Sequence, residues 1–285
     1  MSETSSGGRI TTRLGPHAWP SALLLALCAS GCCTGSGSVT APPIAPPPTV
    51  PTALPTPEGA APAVGTPVLA AWQAGQFWFV GVVVGAEGPN LRILYADGTS
   101  EVLPPASVTA DRMGPGIAVD AHQIGETEFR TATLTQRVGH AARVTYSDGR
   151  DMWTSVGLVR IQSTTPPAGA DIPPAAIAPL GEPGSQVLAR YTDGYLYSAV
   201  VIDRSATGAP RVIYADGEGQ EVTPDRIQPD TLGVGAQVEV RDRVSQSVLT
   251  GTIVRRVEHA VEVRVSDGST RWFALADTRM GPPVP

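Results

Sequence analysis

The sequence predicts an all-β protein: four small β modules in two tandem pairs, behind an N-terminal leader and a Pro-rich linker expected to be disordered. Three observations predict it. The stretch Ile93-Leu94-Tyr95-Ala96-Asp97-Gly98 returns as Val212-Ile213-Tyr214-Ala215-Asp216-Gly217, with looser copies at 144–149 and 263–268. Each is a β-branched or aromatic run that stops at Asp-Gly, a pair suited to a two-residue type I′ hairpin turn. A single shift of 119 residues carries Gly75, Trp78, Val82, Tyr95 and Asp97 onto Gly194, Tyr197, Val201, Tyr214 and Asp216. The same shift carries Arg137, His140, Asp148 and Trp153 onto Arg256, His259, Asp267 and Trp272, so the chain holds a tandem duplication. Finally, the prolines cluster at 42–57, at 166–174 and at the C-terminus, leaving the strand runs intact.

Within each copy the two Asp-Gly turns stand 51 residues apart, from Asp97 to Asp148 and from Asp216 to Asp267. A module of that size suits a small five-stranded barrel and is too short for a solenoid array. The predicted boundaries are 67–112, 113–163, 185–232 and 233–281, with a Pro/Ala/Gly-rich linker at 164–184.

The leader comes first. Arg9 and Arg13 form a basic region, and Leu23, Leu24, Leu25 and Leu27 an apolar core too short for a permanent membrane span. It ends at Ala29-Ser30-Gly31-Cys32, which resembles the lipobox of bacterial lipoproteins. That resemblance implies a signal peptide over 1–31, lipidation of Cys32, and a protein of the periplasm and envelope anchored by lipid in the outer membrane. An ordinary secretory leader is the competing reading. Residues 32–66 are Gly/Ser-rich and then Pro-rich, which describes an extended tether. All three cysteines lie within 28–33, so the modules carry no disulfide framework and no thiolate metal site. The chain contains no lysine, and its net charge is −6. An acidic chain without a basic stripe is not expected to bind nucleic acid.

In the first module, Val68–Trp72, Phe77–Val84, Leu91–Tyr95, 101–103 and a segment near Val108 read as strands. The third module repeats them from Val187 to Ile227. An aromatic, a turn with Gly, an aromatic pair, a small residue and Val, then a strand ending Tyr-x-Asp-Gly: this pattern resembles the Tudor-like group of SH3-like barrels. Trp72, Gly75, Phe77, Trp78, Val82, Tyr95, Asp97 and Gly98 carry it in the first module. Tyr191, Gly194, Tyr197, Ala199, Val201, Tyr214, Asp216 and Gly217 carry it in the third. The other two modules share only the strand rhythm and the turn.

The resemblance implies four SH3-like barrels and an aromatic groove that holds a ligand. Its residues would be Trp72, Trp78, Tyr95 and Asp97 in one module and Tyr191, Tyr197, Tyr214 and Asp216 in the other. In Tudor domains such aromatics hold methylated Lys or Arg through cation–π attraction, roughly 0.5–2 kcal/mol per contact. Two further readings stay open: a groove for a peptide, glycan or protein partner, and aromatics that only fill small barrels in a structural spacer or a peptidoglycan-contacting protein. His140 and His259 have no second His or Cys at ligand spacing and read as packing residues. Trp153 and Trp272 read as covers for a barrel or for the seam within a pair. No nucleophile elbow, zinc-protease motif or phosphate loop occurs, so no enzyme and no cofactor are expected.

Overall fold

The computed structural model of the chain describes residues 61–72, 75–122, 126, 128–173 and 178–281. The predicted leader, Cys32 and positions 32–60 of the predicted tether lie outside the described residues. Among the described residues no helix is long and apolar enough to cross a membrane.

The first copy contains β1 (Pro67–Trp72), β2 (Phe77–Glu87), β3 (Asn90–Tyr95), β4 (Ser100–Leu103), β5 (Val108–Ala110), β6 (Ala118–Ala121), β7 (Arg130–Val138), β8 (Ala141–Tyr146), β9 (Asp151–Ser155) and β10 (Val159–Gln162). The second repeats them as β11 (Gln186–Arg190), β12 (Leu196–Arg204), β13 (Pro210–Tyr214), β14 (Gly219–Glu221), β15 (Ile227–Pro229), β16 (Gln237–Arg241), β17 (Val248–Val257), β18 (Ala260–Val265), β19 (Thr270–Ala274) and β20 (Thr278–Met280). Every named strand pairing is antiparallel, and each copy forms one ten-stranded sheet. The main path runs β4-β3-β2-β10-β6-β7-β8-β9, with β1 joined to β2 and β5. The last strand does the joining. β10 pairs with β6 through Val159–Ala121 and then with β2 through Ile161–Trp78, so the halves of each copy share a sheet.

The Asp-Gly sites do turn the chain between strands, but not as two-residue type I′ loops. Only Gln246 and Glu258 among described non-glycine residues have positive φ, so the aspartates do not. Tyr95 O accepts from Gly98 N at 2.9 Å, Tyr95 N donates to Thr99 O at 2.8 Å, and Gly98 alone is left-handed at φ +86°. This is a three-residue loop closed by glycine, the next most favourable hairpin geometry. Aspartate suits it for another reason: Asp97 Oδ1 accepts from Thr99 N at 2.9 Å, and Asp148, Asp216 and Asp267 do the same two residues on.

The linker is not a free spacer where it is described. Ala170 bridges to Met113, and its N–H donates to Arg112 O at 2.7 Å. Gly114 is the reason that approach is possible. A Cβ there would come within 2.7 Å of the Ala170 carbonyl oxygen and closer still to that of Asp171. Gly233, its repeat counterpart, has open space. Gly114→Ala is therefore expected to cost about 1–3 kcal/mol by overpacking against backbone, and Gly233→Ala no more than a few tenths. Paired urea denaturation measures the difference; equal losses would remove the docked-linker explanation.

The copies pack on each other, and their described residues form one compact unit. Val138, Ala141, Val200 and Ile213 form a small core with Trp153 and Ile202 against it. Its mirror is Val82, Leu94 and Ala260 with Val84, Val257 and Trp272. The two repeated tryptophans thus cover the seams between the copies, not a seam within a pair. His140 and His259 lie at the same seams, each 2% exposed. They are packing residues, in the two-residue turns Gly139-His140 and Glu258-His259. The first turn residue is left-handed in both, at φ +54° for Gly139 and +47° for Glu258.

Candidate functional site

Alternation along β12 and β13 decides which side chains meet. In β12, Leu196 and Ser198 turn into the core while Tyr197 stays half-exposed on the other face. Tyr214 ends β13, and Tyr191 follows β11. The three rings meet edge to face: Tyr191 to Tyr197 at 5.9 Å, Tyr191 to Tyr214 at 5.5 Å and Tyr197 to Tyr214 at 6.2 Å. Tyr191, Tyr197, Tyr214 and Asp216, the four residues expected from sequence, line one pocket of about 360 Å³.

The other wall comes from the following module. Glu239, Val240 and Arg241 of β16, Val248 of β17, the short turn Leu275–Asp277 and Arg279 of β20 complete the lining. The pocket therefore lies where the two halves of the second copy join. Its polar groups are fixed. Tyr191 Oη donates to Glu218 Oε1 at 2.7 Å, Tyr197 Oη to Asp193 Oδ2 at 2.7 Å, and Tyr214 Oη to Gln220 Oε1 at 2.8 Å. The hydrogen bond to Glu218 raises the Tyr191 phenol above its ordinary range, while burial raises those of Tyr197 and Tyr214. All three are neutral donors at physiological pH. Burial also raises the Asp216 and Asp277 carboxyls. Arg279 lies over Tyr195 at 3.6 Å and pairs with Glu239 at 2.8 Å. Ser198 Oγ is buried in the lining and has no hydrogen-bond partner.

In the first copy the trio is Trp72, Phe79 and Tyr95, with centroids 5.2–6.5 Å apart. Trp78 is not part of it. It is 2% exposed, sits in the core between the halves, and donates from Nε1 to Ser163 O at 3.0 Å. The cause is a one-residue difference in the turn after β1. Ala71 pairs with Trp78, whereas Ala189, not Arg190, pairs with Tyr197. Along β2 the repeat shift is 118, so Phe79 answers Tyr197 and Trp78 answers Leu196. Asp97 stays in its turn, capping Thr99 N and Oγ1.

Sequence reasoning missed Phe79, Glu218, Asp277 and Arg279. Phe79 was legible only by testing the alternation of β2 against the shorter turn at Thr192-Asp193-Gly194. The last two come from a different module, and no local pattern links them to the tyrosines. Among the described residues no group of three or more His, Cys, Asp or Glu could hold a metal ion.

No family profile matches the chain, and no curated protein matches it. Among solved structures it is similar to the four MBT repeats of Drosophila melanogaster Sfmbt in complex with the peptide RHR(me)KVLR. The identity is 10%, the match covers 76% of this chain and 87% of that one, and the TM-score is 0.19. A superposition that loose carries no argument about ligand or mechanism.

Proposed function

We propose that this chain is a non-catalytic binding protein of the bacterial cell envelope. Its five-strand groups are read as four SH3-like barrels fused in pairs, displayed from the membrane by a lipid at Cys32. The tyrosine pocket is its contact with a peptide or protein partner. The observation that carries this is the convergence of Tyr191, Tyr197, Tyr214 and Asp216 with eight residues of the next module in one open pocket. Aromatic rings with hydrogen-bonded tips are suited to recognition because they bury large area with little rotamer entropy.

One observation favours a cationic ligand as a second reading. Asp216, Glu218, Glu239 and Asp277 line the pocket against two arginines, Arg241 and Arg279. A methylated Lys or Arg would meet carboxylates and ring faces there. The aromatics of the first copy fit the spacer reading better, since its trio is packed by further rings.

Two measurements test the proposal. Expressed in a Gram-negative host, the protein is expected to fractionate with the outer membrane and to begin at an acylated Cys32 by intact mass, and Cys32→Ser to lose both properties. A soluble full-length product with residues 1–31 intact would reject the envelope reading. Separately, Tyr197→Ala should weaken binding to envelope peptides or isolated sacculi at least 10-fold, in line with losing a central aromatic contact. Unchanged binding would reject the pocket.

A further inference from the structure

The duplication supplies an internal comparison. The pair Arg241 and Val248, which face each other across β16 and β17, corresponds by the repeat shift to His122 and Phe129. In the first copy the Phe129 ring stands edge-on to Phe79 at 6.4 Å and to His122 at 4.4 Å. Arg160 lies between Phe77 and Phe129, 3.6 and 3.8 Å from the two centroids. The first copy thus brings its own aromatic side chain to its aromatic trio and seats it under an arginine.

The second copy keeps the receiving surface and lacks the ring. Tyr197 answers Phe79, and Arg279 still lies over Tyr195 at 3.6 Å. Val248 replaces Phe129 and is 54% exposed. Two further differences change the same space. Ser198 stands where the first copy has Val80, and Asp277 where it has Leu158. Smaller side chains on wall and floor leave the 360 Å³ pocket. The floor also gains a buried hydroxyl with no partner in the protein. Such a group is costly unless something binds it.

From this geometry we infer that the pocket takes an aromatic side chain of a partner polypeptide, a tyrosine in particular. Its ring occupies the place that Phe129 fills in the first copy, against Arg279 and Tyr197, which contact each other, and its phenol satisfies Ser198 Oγ. This rests on the proposed binding role of the same pocket and gives it a ligand chemistry and a valence: one open aromatic site among the described residues, the first copy being filled from within. Duplication here does not provide two equal sites.

The test uses the purified full chain and three probes, N-acetyltyrosinamide, N-acetylphenylalaninamide and tetramethylammonium, followed by backbone amide shifts in NMR titration. The tyrosine amide is expected to shift Tyr197, Ser198 and Val248 and to bind about 5-fold or more tighter than the phenylalanine amide. Ser198→Val should erase that preference, because it restores the apolar floor of the first copy. Val248→Phe, which the other copy tolerates at its own position, should weaken the tyrosine amide at least 10-fold, while Val248→Ala should not. Tetramethylammonium binding there more tightly than either amide would overturn the aromatic occupant and leave the pocket as a cation site. No shift at these residues with any probe would overturn the inference, whereas loss of partner binding in Tyr197→Ala would still uphold the pocket itself.

Discussion

Arg137→Met is expected to lower stability by about 3–5 kcal/mol, the usual cost of stripping one member from a buried ion pair. Arg137 Nη1 lies 2.8 Å from Asp111 Oδ2, and both side chains are only 2% exposed. The same guanidinium nitrogen donates to Met113 O at 3.4 Å, holding the short connection between the two halves of the first copy. Removing the guanidinium leaves the Asp111 carboxylate buried and uncompensated. The repeat provides the control. Arg256 pairs with Asp230 at 2.7 Å, but with side chains 21% and 9% exposed. Water screens that pair in part, so Arg256→Met should cost less than its counterpart. A double replacement, Arg137→Met with Asp111→Leu, should recover most of the loss, because two apolar groups can fill the space without a desolvated charge. Urea midpoints with unchanged slopes decide it. Equal losses for the two arginines, or no recovery in the double variant, would refute the account.

What was legible in the sequence was local. β-Branched runs ending in Asp-Gly marked the hairpins, because period-two alternation and turn chemistry act within a few residues. Even there, the loop type was misjudged. Asp-Gly serves a two-residue loop when both residues are left-handed, and equally a three-residue loop when Asp caps the turn and only Gly is left-handed. The aromatic set of the third module was legible because Tyr191, Tyr197 and Tyr214 lie at strand ends with consistent alternation. Trp78 was misplaced because a one-residue difference in a turn flips the next strand's faces, and a constant shift of 119 hides it. The seams between copies had no local signal. His140 and His259 recur, yet nothing within either turn indicates that each will be buried against the other copy.

Those seams explain why the duplication produces one body. Each copy exposes an apolar strip on its second strand, Val82 and Val84 or Val200 and Ile202, and a tryptophan after its second Asp-Gly turn. Trp153 covers the strip of the second copy, and Trp272 that of the first. The exchange is reciprocal, so it closes on itself in the manner of an isologous dimer within one chain. Filling both strips internally leaves the tyrosine pocket free to face outward.

The same reciprocity makes the body sensitive to acid, and between pH 6.5 and 4 the protein is expected to lose about 3 kcal/mol for each of the two seam histidines. His140 is buried with its Nε2 3.3 Å from Ile213 O. His259, aimed at the Leu94 carbonyl, has no well-formed hydrogen bond at either ring nitrogen. Burial is the main cause that lowers their pKa values, to about 4 for His140 and about 3 for His259. The charged groups facing them add to it: Arg256 lowers His140 while Asp230 opposes, and Arg137 and His140 itself lower His259. In the unfolded chain both rings titrate near 6.5, so below that pH the unfolded state binds more protons and stability falls. The fall continues through the folded values and ends below them. Asp216 and Asp277, raised by burial, act in the opposite sense near the bottom of that window. The exposed aspartates with lowered values, such as Asp148 and Asp267, contribute only below the carboxylate range. Replacing both histidines with Gln should leave a protein less stable at pH 7 but nearly flat down to pH 4, so that the two curves converge on acidification. Urea midpoints for the two proteins across that range provide the check; parallel curves would show that the seam histidines do not govern the acid response.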